Sequence, residues 1–129
     1  VQSTGGRSSE IFMKNKTKGD LGEEAAVKYL KKQKYKIIAR NYRAVTGEID
    51  IIALDGKTLV FAEVKTRSSG RFGAPSLAVT GEKRLKIAKT AQSFISQNEI
   101  FSLEKRFDVI EVTEEGVNHI TGAFETDLL

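Results

Sequence analysis

Three acidic residues and one lysine near the middle of the sequence have side chains that could do chemistry together: Glu48, Asp50, Glu63 and Lys65. Carboxylates that share a partly buried surface repel one another and are poorly solvated, so such a cluster is costly unless positive charge occupies it. Lys65 supplies one positive charge. A hard divalent cation, Mg²⁺ or Mn²⁺, would supply the rest, because these ions prefer carboxylate oxygens and water. Zinc fits less well, since the chain has no cysteine and a single histidine.

A purely structural explanation of the same residues stays open. Lys65 could form cross-strand salt bridges with Glu48 and Glu63 at the edge of a sheet, with no metal ion involved. Short motifs of this kind also occur by chance. Residue types and spacing alone therefore leave both interpretations standing.

A predicted β-hairpin brings the four residues together. Asp55-Gly56 is typical of a two-residue hairpin turn with positive φ at both positions. It joins predicted strands over residues 48–54 and 58–67. Near the turn both faces of this hairpin are apolar, which predicts strands that are covered on both sides.

The register counted from this turn decides which side chains are neighbours. It pairs Asp50 with Phe61 and Glu48 with Glu63. Asp50 and Glu63 are then diagonal neighbours on one face, with their Cα atoms about 7–8 Å apart. The residues predicted on the opposite face are all apolar: Ile49, Ile51, Ala53, Val60, Ala62 and Val64.

One helix is predicted before this hairpin in the sequence and one after it. Apolar residues at helical spacing predict the first over residues 20–34 and the second from an N-cap at Thr80 to about residue 97. Glu23 lies at the edge of the apolar stripe of the first helix, whereas Glu24 points to solvent. Arg84 falls on the apolar side of the second helix, from which it could reach toward the site.

Further strands are predicted over residues 37–42 and 106–112, with a possible extra edge strand over residues 116–121. The resulting order is α-β-β-β-α-β, which predicts an α/β fold with a central mixed β-sheet flanked by helices. Asp108 is expected to form a structural pair with Arg106. His119 is expected to be a surface strand residue.

Length and composition limit the other possibilities. The chain has 129 residues, a length that suits one domain, and its formal charge is +4. Without cysteine, disulfide scaffolds, thiolate zinc sites and cysteine nucleophiles are excluded. The sequence shows no membrane span or signal peptide, so we expect a cytoplasmic protein. Residues 1–12 are expected to be an added or disordered leader before Met13, and residues 13–129 the domain.

Charge is distributed unevenly along the chain. Residues 14–43 carry ten basic against three acidic side chains, and residues 81–106 carry six against three. Residues 107–129 contain six acidic residues and neither lysine nor arginine. A positive surface would favour a partner that bears phosphates, although ordinary solvated helix faces would explain the same pattern. The candidate nucleic-acid contacts are Arg67, Arg71, Lys83, Arg84, Lys86 and Lys89.

Together these residues resemble a known signature. Asp50, followed after twelve residues by Glu63-Val64-Lys65, is similar to the D…ExK motif of the PD-(D/E)XK nuclease superfamily, which includes restriction endonucleases and Holliday-junction resolvases. The chain resembles more closely the bacterial YraN-like family of predicted endonucleases. The shared segments, in order, are G…GE at residues 19–23, N-Y-R at 41–43, G-E-I-D-I-I at 47–52, F-x-E-V-K-x-R at 61–67, F-G at 72–73 and R-F-D-V at 106–109.

The resemblance implies a restriction-endonuclease-like core and a role for each matching residue. Asp50 and Glu63 would be metal ligands, and the backbone carbonyl of Val64 would complete the set. Lys65 would orient or deprotonate the attacking water. Glu23 would support the metal ion or its water shell. Glu48 would be an outer-sphere ligand or a partner of Lys65.

The function implied is that of an endonuclease dependent on Mg²⁺ or Mn²⁺, which hydrolyses phosphodiester bonds in DNA, with branched or structured DNA as the candidate substrate. DNA is favoured over RNA as the partner, and a homodimer is open by analogy with resolvases. Two alternatives stay open: a nucleic-acid-binding module with a nuclease-like fold that does not cut, and a protein-interaction adaptor that uses the acidic C-terminal segment.

Overall fold

The computed structural model describes residues 18–67 and 81–129, which form two helices and five strands. In chain order the elements are α1 (Lys18–Lys32), β1 (Lys36–Ala44), β2 (Gly47–Asp55), β3 (Thr58–Thr66), α2 (Gly81–Asn98), β4 (Glu104–Thr113) and β5 (Gly116–Phe124). This order confirms the predicted arrangement, and the possible edge strand is present as β5. Four predictions fall outside the described residues: the leader over 1–12, the start at Met13, the role of Arg71 and the cap at Thr80.

The five strands form one mixed sheet in the order β1-β2-β3-β4-β5. Neighbouring strands are antiparallel except β3 and β4, which run parallel. A parallel pair needs a long crossover, and α2 lies in the connection between these two strands. The fold is therefore α/β with helices against the sheet, consistent with a restriction-endonuclease-like core.

Each face of the sheet is covered by one helix. The apolar side of α1, which includes Ala26 and Leu30, packs with Ile51 and Ala62 in one buried cluster. The apolar side of α2 packs in a second cluster with the alternate residues of the central strands, Ile52, Leu59, Phe61 and Val109 among them. Because both faces are covered, the central strands are apolar on both sides, as predicted.

The hairpin turn differs by one residue from the prediction. Asp55 pairs with Thr58 and Leu54 with Leu59, so the two turn residues are Gly56 and Lys57. Gly56 has φ 61°. A positive φ at the first central position fits a type II′ turn, which needs glycine there, instead of the predicted type I′ turn. The whole register moves by two, so the predicted pairs Asp50–Phe61 and Glu48–Glu63 are wrong, and Phe61 pairs with Ile52.

A second difference concerns the alternation of side chains along β2. Ile49 packs in the cluster beneath α2 together with Ile52, whereas Ile51 packs in the cluster beneath α1. Strict alternation would place Ile49 and Ile51 on the same face, so the predicted face is wrong for Ile49. The interruption lies at Asp50. The pairing of β2 with β3 also ends next to it, at Ile51 and Ala62.

No helix in the two described stretches combines the length and the apolar character needed to cross a membrane.

Candidate active site

Asp50 lies where the backbone pairing of β2 and β3 ends. Beyond that point its side-chain carboxylate, and not a backbone carbonyl of β2, accepts a hydrogen bond from β3. Its Oδ2 accepts a hydrogen bond from the backbone N–H of Val64 at 2.8 Å. Burial is the largest cause that raises the pKa of Asp50, and together with the negative charges of Glu63, Glu23 and Glu48 it brings the pKa to about 6 against the lowering effect of the Val64 N–H. The structure therefore gathers the carboxylates singled out in the sequence and holds Asp50 where its charge is disfavoured.

Glu63 is the second predicted ligand, and two lysines contact it. Its Oε2 lies 2.8 Å from Nζ of Lys83 and 3.7 Å from Nζ of Lys65. The Glu63 side chain is only 16% exposed, so these ammonium groups supply nearby counter-charge. Lys65 thus lies beside Glu63 as predicted, but Lys83, singled out as a contact to nucleic acid, reaches into the site from the first turn of α2.

The two lysines affect each other. Burial and the neighbouring Lys83 ammonium lower the pKa of Lys65. The hydrogen bond to Glu63 raises the pKa of Lys83. Lys65 is accordingly the easier of the two to deprotonate, which suits a group that takes a proton from water.

Glu23 reaches the same region from α1. Its carboxylate Oε1 accepts hydrogen bonds from Asn41 Nδ2 at 2.9 Å and from Arg40 at 3.2 Å. The residue is only 8% exposed. The predicted position of Glu23 at the edge of the apolar stripe therefore agrees with the structure. Its carboxylate, however, is engaged by β1, and its support of a metal ion stays a prediction.

Asn41 and Arg40 are the residues that sequence reasoning missed. Asn41 has φ 54°, in the left-handed region that asparagine tolerates better than most residues. Asn41 adopts this conformation inside strand β1, and its side chain donates the hydrogen bond to Glu23. The N-Y-R segment of the resembled family contained Asn41 and was the one available signal, but it carried no indication of a partner.

A glycine determines how closely α1 approaches the site. A Cβ atom at Gly22 would overlap the hydroxyl oxygen of Thr66 on β3. The helix can therefore lie against the end of β3 only because Gly22 has no side chain. Since Glu23 is the next residue, this contact also sets the distance between its carboxylate and β3.

Glu23, Asp50 and Thr66 line a pocket of about 520 Å³ between α1 and the strands β1, β2 and β3, whereas Glu63, Lys65 and Lys83 do not line it. Glu48 lies at its rim, where its carboxylate is 3.5 Å from Nε of Arg43. The sequence left open a pairing of Glu48 with Lys65, and the structure pairs it with Arg43 instead. The lining residues are Gly19, Asp20, Glu23, Asn41, Arg43, Glu48, Asp50, Val64 and Thr66.

The other predicted contacts to nucleic acid divide into two groups. Arg67 donates from Nε to the buried Glu111 at 2.8 Å, and the guanidinium of Arg84 lies 5.4 Å from the ring centre of Phe124 on β5. The expectation that Arg84 reaches toward the site is therefore wrong, because the Phe124 ring offers its side chain a packing surface away from the carboxylates. Lys86 and Lys89 are exposed on α2.

Asp108 and His119 form a separate buried network. Asp108 accepts hydrogen bonds from Arg106 at 2.9 Å and lies 2.7 Å from His119 Nε2. Burial alone would raise the pKa of Asp108, but the bonds from His119 and Arg106 outweigh it and hold the pKa below its usual value. The expected structural pair is thus confirmed. The expectation that His119 is a surface residue is wrong, since its side chain is 7% exposed beneath α1.

The fit of a metal ion to this site depends on which ligands it requires. Among the described residues, no three His, Cys, Asp or Glu side chains converge closely enough to hold a metal ion by themselves. Mg²⁺, however, is commonly bound by one or two carboxylates together with water and substrate phosphate. Asp50 and Glu63 are two hard oxygen donors of the required kind, so the residues present fit such an ion.

Comparison with known proteins identifies relatives along most of the chain. A family model described as "Uncharacterised protein family UPF0102" matches residues 22–112. A UPF0102 protein of Geobacter metallireducens is 48% identical over 119 residues, which cover 89% of this chain and 98% of that protein. A UPF0102 protein of Clostridioides difficile is 47% identical over 114 residues, covering 87% of this chain and all of that protein. The segment matched by the family model contains Glu23, Asp50, Glu63, Lys65 and Lys83.

Proposed function

The chain belongs to the uncharacterised protein family UPF0102, and from this premise and the geometry of its site we propose that it is a divalent-metal-dependent nuclease that hydrolyses DNA. One observation carries the proposal: Asp50 is held in a poorly solvated place beside Glu63, Glu23 and Glu48, with its pKa raised to about 6. Gathering like charges in this way opposes stability, and such an arrangement is typical of functional sites. The resemblance to PD-(D/E)XK nucleases supplies the reaction class.

Asp50, Glu63 and the carbonyl oxygen of Val64 would hold the Mg²⁺ or Mn²⁺ ion. When bound, such an ion lowers the pKa of water and neutralises charge on a phosphate. The N–H of Val64 bonds to Asp50 Oδ2 at 2.8 Å and fixes the orientation of that carboxylate. The chain thus presents oxygen donors from two strands that have already separated, so the site needs no rearrangement of the paired sheet.

Lys65 has the position and the electrostatics for proton transfer. Its Nζ lies 3.7 Å from Oε2 of Glu63, and its pKa is lowered by burial and by Lys83. In the proposed reaction Lys65 orients the attacking water and accepts its proton, and as an ammonium it stabilises negative charge on the phosphate oxygens. Once protonated, Lys65 would be held in place by its ion pair with Glu63.

The basic surface near the site supports a polyanionic substrate. Arg43 lines the rim of the pocket and its side chain is 77% exposed. Lys86 lies beside the start of β2, with its Cβ 4.0 Å from the position that a Cβ on Gly47 would occupy. Both can contact phosphates on either side of the bond that is cut. The resemblance to junction-resolving nucleases makes branched DNA the first substrate to test.

The test is cleavage of plasmid and four-way-junction DNA with Mg²⁺ and with Mn²⁺. We expect the wild type to cut and Lys65→Met to lower the rate at least about a hundredfold, the usual contribution of a group that transfers a proton. Glu63→Gln should abolish cutting, because it removes the charge of a metal ligand. Lys57→Met is the matched control, because Lys57 is an exposed lysine in the hairpin turn at the opposite end of β2 and β3. Absence of both cleavage and Mn²⁺ uptake by the wild type would refute the proposal.

A nucleic-acid-binding protein that does not cut is the second candidate. It is favoured by the engagement of Glu63 with two lysines and of Glu23 with Arg40 and Asn41. In that case DNA binding would weaken with salt, would not change on adding EDTA, and would survive Asp50→Asn. The nuclease instead requires that Mg²⁺ or Mn²⁺ strengthen DNA binding through Asp50.

A further inference from the structure

The ammonium group of Lys83 contacts one of the two carboxylate oxygens of Glu63, the proposed metal ligand. Its Nζ is 2.8 Å from Oε2 of Glu63, closer than the 3.7 Å that separates Lys65 from the same oxygen. The resemblance assigns Lys65 to the reaction but leaves Lys83 without a role there. The shorter of the two ion pairs is thus made by a residue from another element, 20 positions further along the chain.

The stability of α2 does not explain this lysine. Lys83 lies in the first turn of α2, where the positive end of the helix dipole disfavours a cation. The last turn, where a lysine would be favourable, contains no basic residue. The contact with Glu63 offsets this unfavourable position in the helix.

An ammonium group and a divalent cation cannot share this oxygen without strong repulsion. Mg²⁺ binds a carboxylate oxygen at about 2.0–2.1 Å and demands near-octahedral geometry. The Lys83 ammonium already lies within hydrogen-bond distance of that oxygen. A divalent cation on Oε2 would therefore displace Lys83, and one on the second oxygen of the carboxylate would still be repelled by the nearby ammonium group.

Lys83 has the freedom to withdraw. Its side chain is 40% exposed, whereas that of Lys65 is 24% exposed. A lysine is a compact charge on a flexible four-carbon stem, so it can change partners with little change in the backbone. A phosphate of a bound substrate would offer Lys83 a new anionic partner.

We propose that Lys83 is a displaceable counter-ion, which neutralises Glu63 in the metal-free protein and transfers to a substrate phosphate when a divalent cation binds. This inference rests on the proposed nuclease function and deepens it, because it makes binding of metal and of DNA cooperative. DNA draws Lys83 away from Glu63 and so opens that oxygen to the metal ion. The isolated protein is held in a state that binds metal weakly.

The test is calorimetric titration of Mn²⁺ into the DNA-free protein, a readout that does not involve activity. We expect Lys83→Met to bind Mn²⁺ about tenfold more tightly than the wild type, a change of the size of one charge-assisted hydrogen bond. Lys83→Arg keeps the positive charge and should bind like the wild type. Lys89→Met is the matched control, since Lys89 is an exposed lysine on the same helix that lines a groove with Gln92 and Phe101. It should stay within about twofold of the wild type, because only a general effect of net charge acts there.

The outcomes separate the two proposals. If the wild type binds Mn²⁺ and Lys83→Met binds it no more tightly, the role of Lys83 is overturned and the nuclease proposal stands. If neither protein takes up Mn²⁺, the role of Lys83 is overturned, and the nuclease proposal is overturned with it only if the wild type also fails to cut DNA. An equal gain in Lys89→Met would also overturn the role of Lys83, because net charge alone would then explain it. Thermal melting in EDTA checks that the variants fold, and Lys83→Gln replaces Lys83→Met if the latter does not.

Discussion

Asp50 shows at the residue scale that this site is built against stability. With its pKa raised to about 6, Asp50 is harder to ionise in the folded protein than in the unfolded chain, although it is still ionised at neutral pH. The folded state therefore carries an unfavourable charge that the unfolded chain would solvate. Such a cost is expected where a carboxylate must be ready for a cation.

Replacing this charge should stabilise the protein. The folded pKa of Asp50 is about 6 and its ordinary value is 3.8, so the folded state binds the proton more tightly than the unfolded state. The contribution of Asp50 to stability is thus greatest below about pH 4, falls as the pH rises through 6, and is constant above that. We expect Asp50→Asn to be more stable than the wild type at pH 8 by on the order of 1–3 kcal/mol, and to show little gain at pH 4.

Urea denaturation in EDTA at the two pH values measures this difference. Asparagine can still accept the hydrogen bond from the Val64 N–H through its side-chain oxygen. Glu114, which is exposed in the turn between β4 and β5, is the control, and its replacement by Gln should change stability little at either pH. A variant Asp50→Asn that is less stable than the wild type at pH 8 would show that the carboxylate is not strained.

The site forms where the backbone pairing between strands β2 and β3 ends. β2 and β3 are paired from the turn to Ile51 and Ala62 and then separate. The carboxylates follow immediately, and α1 and α2 approach from the two faces with Glu23 and Lys83. The rigid part of the hairpin thus positions groups that lie just beyond it.

The approach of α1 to β3 can be tested at Gly22. A side chain there would overlap the hydroxyl of Thr66, so we expect Gly22→Ala to push the helix away from the strand and to destabilise the protein by about 1–3 kcal/mol. The shift should also move Glu23 and lower Mn²⁺ affinity. Gly81→Ala is the matched control, because a Cβ at Gly81 meets no atom of residues 18–67 or 81–129 within 4 Å.

Thermal denaturation and Mn²⁺ titration of the two glycine variants provide the comparison. The double variant Gly22→Ala with Thr66→Ser keeps the clashing hydroxyl, whereas Gly22→Ala with Thr66→Gly removes it. Rescue by the second double variant alone would identify the overlap as the cause. Wild-type stability in Gly22→Ala would show that the helix is not held this closely.

At the scale of the whole molecule, charge is segregated along the chain. The overall charge of +4 combines basic helical segments with an acidic C-terminal segment. In the fold, Lys86 and Lys89 lie on the exposed side of α2, the helix that delivers Lys83 to the site. A surface of this kind attracts a nucleic-acid backbone over a distance and releases counterions when it binds.

The salt dependence of DNA binding should report these lysines. Each phosphate contact contributes about 0.9 to the slope of log affinity against log salt, so we expect the double variant Lys86→Met, Lys89→Met to lower the slope by about 2. Fluorescence anisotropy of a labelled duplex from low to physiological salt measures it. Lys36→Met with Lys57→Met removes the same charge from two exposed lysines near the hairpin turn of β2 and β3, at the end of the sheet away from the site, and should leave the slope near that of the wild type.

The sequence by itself determined the types and order of the elements, the apolar faces of the hairpin and the set of carboxylates with Lys65. These follow from local periodicity and turn chemistry, which act over a few neighbouring residues. Even the one-residue error in the turn at Gly56 left most side chains on their predicted faces, because the resulting change in register was two.

Only the tertiary structure decided which groups meet. Two contacts join residues that are distant in the chain: Lys83 with Glu63, and Asn41 with Glu23. Packing beneath the helices also interrupts the alternation of side chains along β2 at Asp50. No period in the sequence encodes such pairs, because they depend on where two helices rest on a twisted sheet and on how burial changes the charge of each side chain. The sequence thus contained the chemical groups, and packing determined their partners.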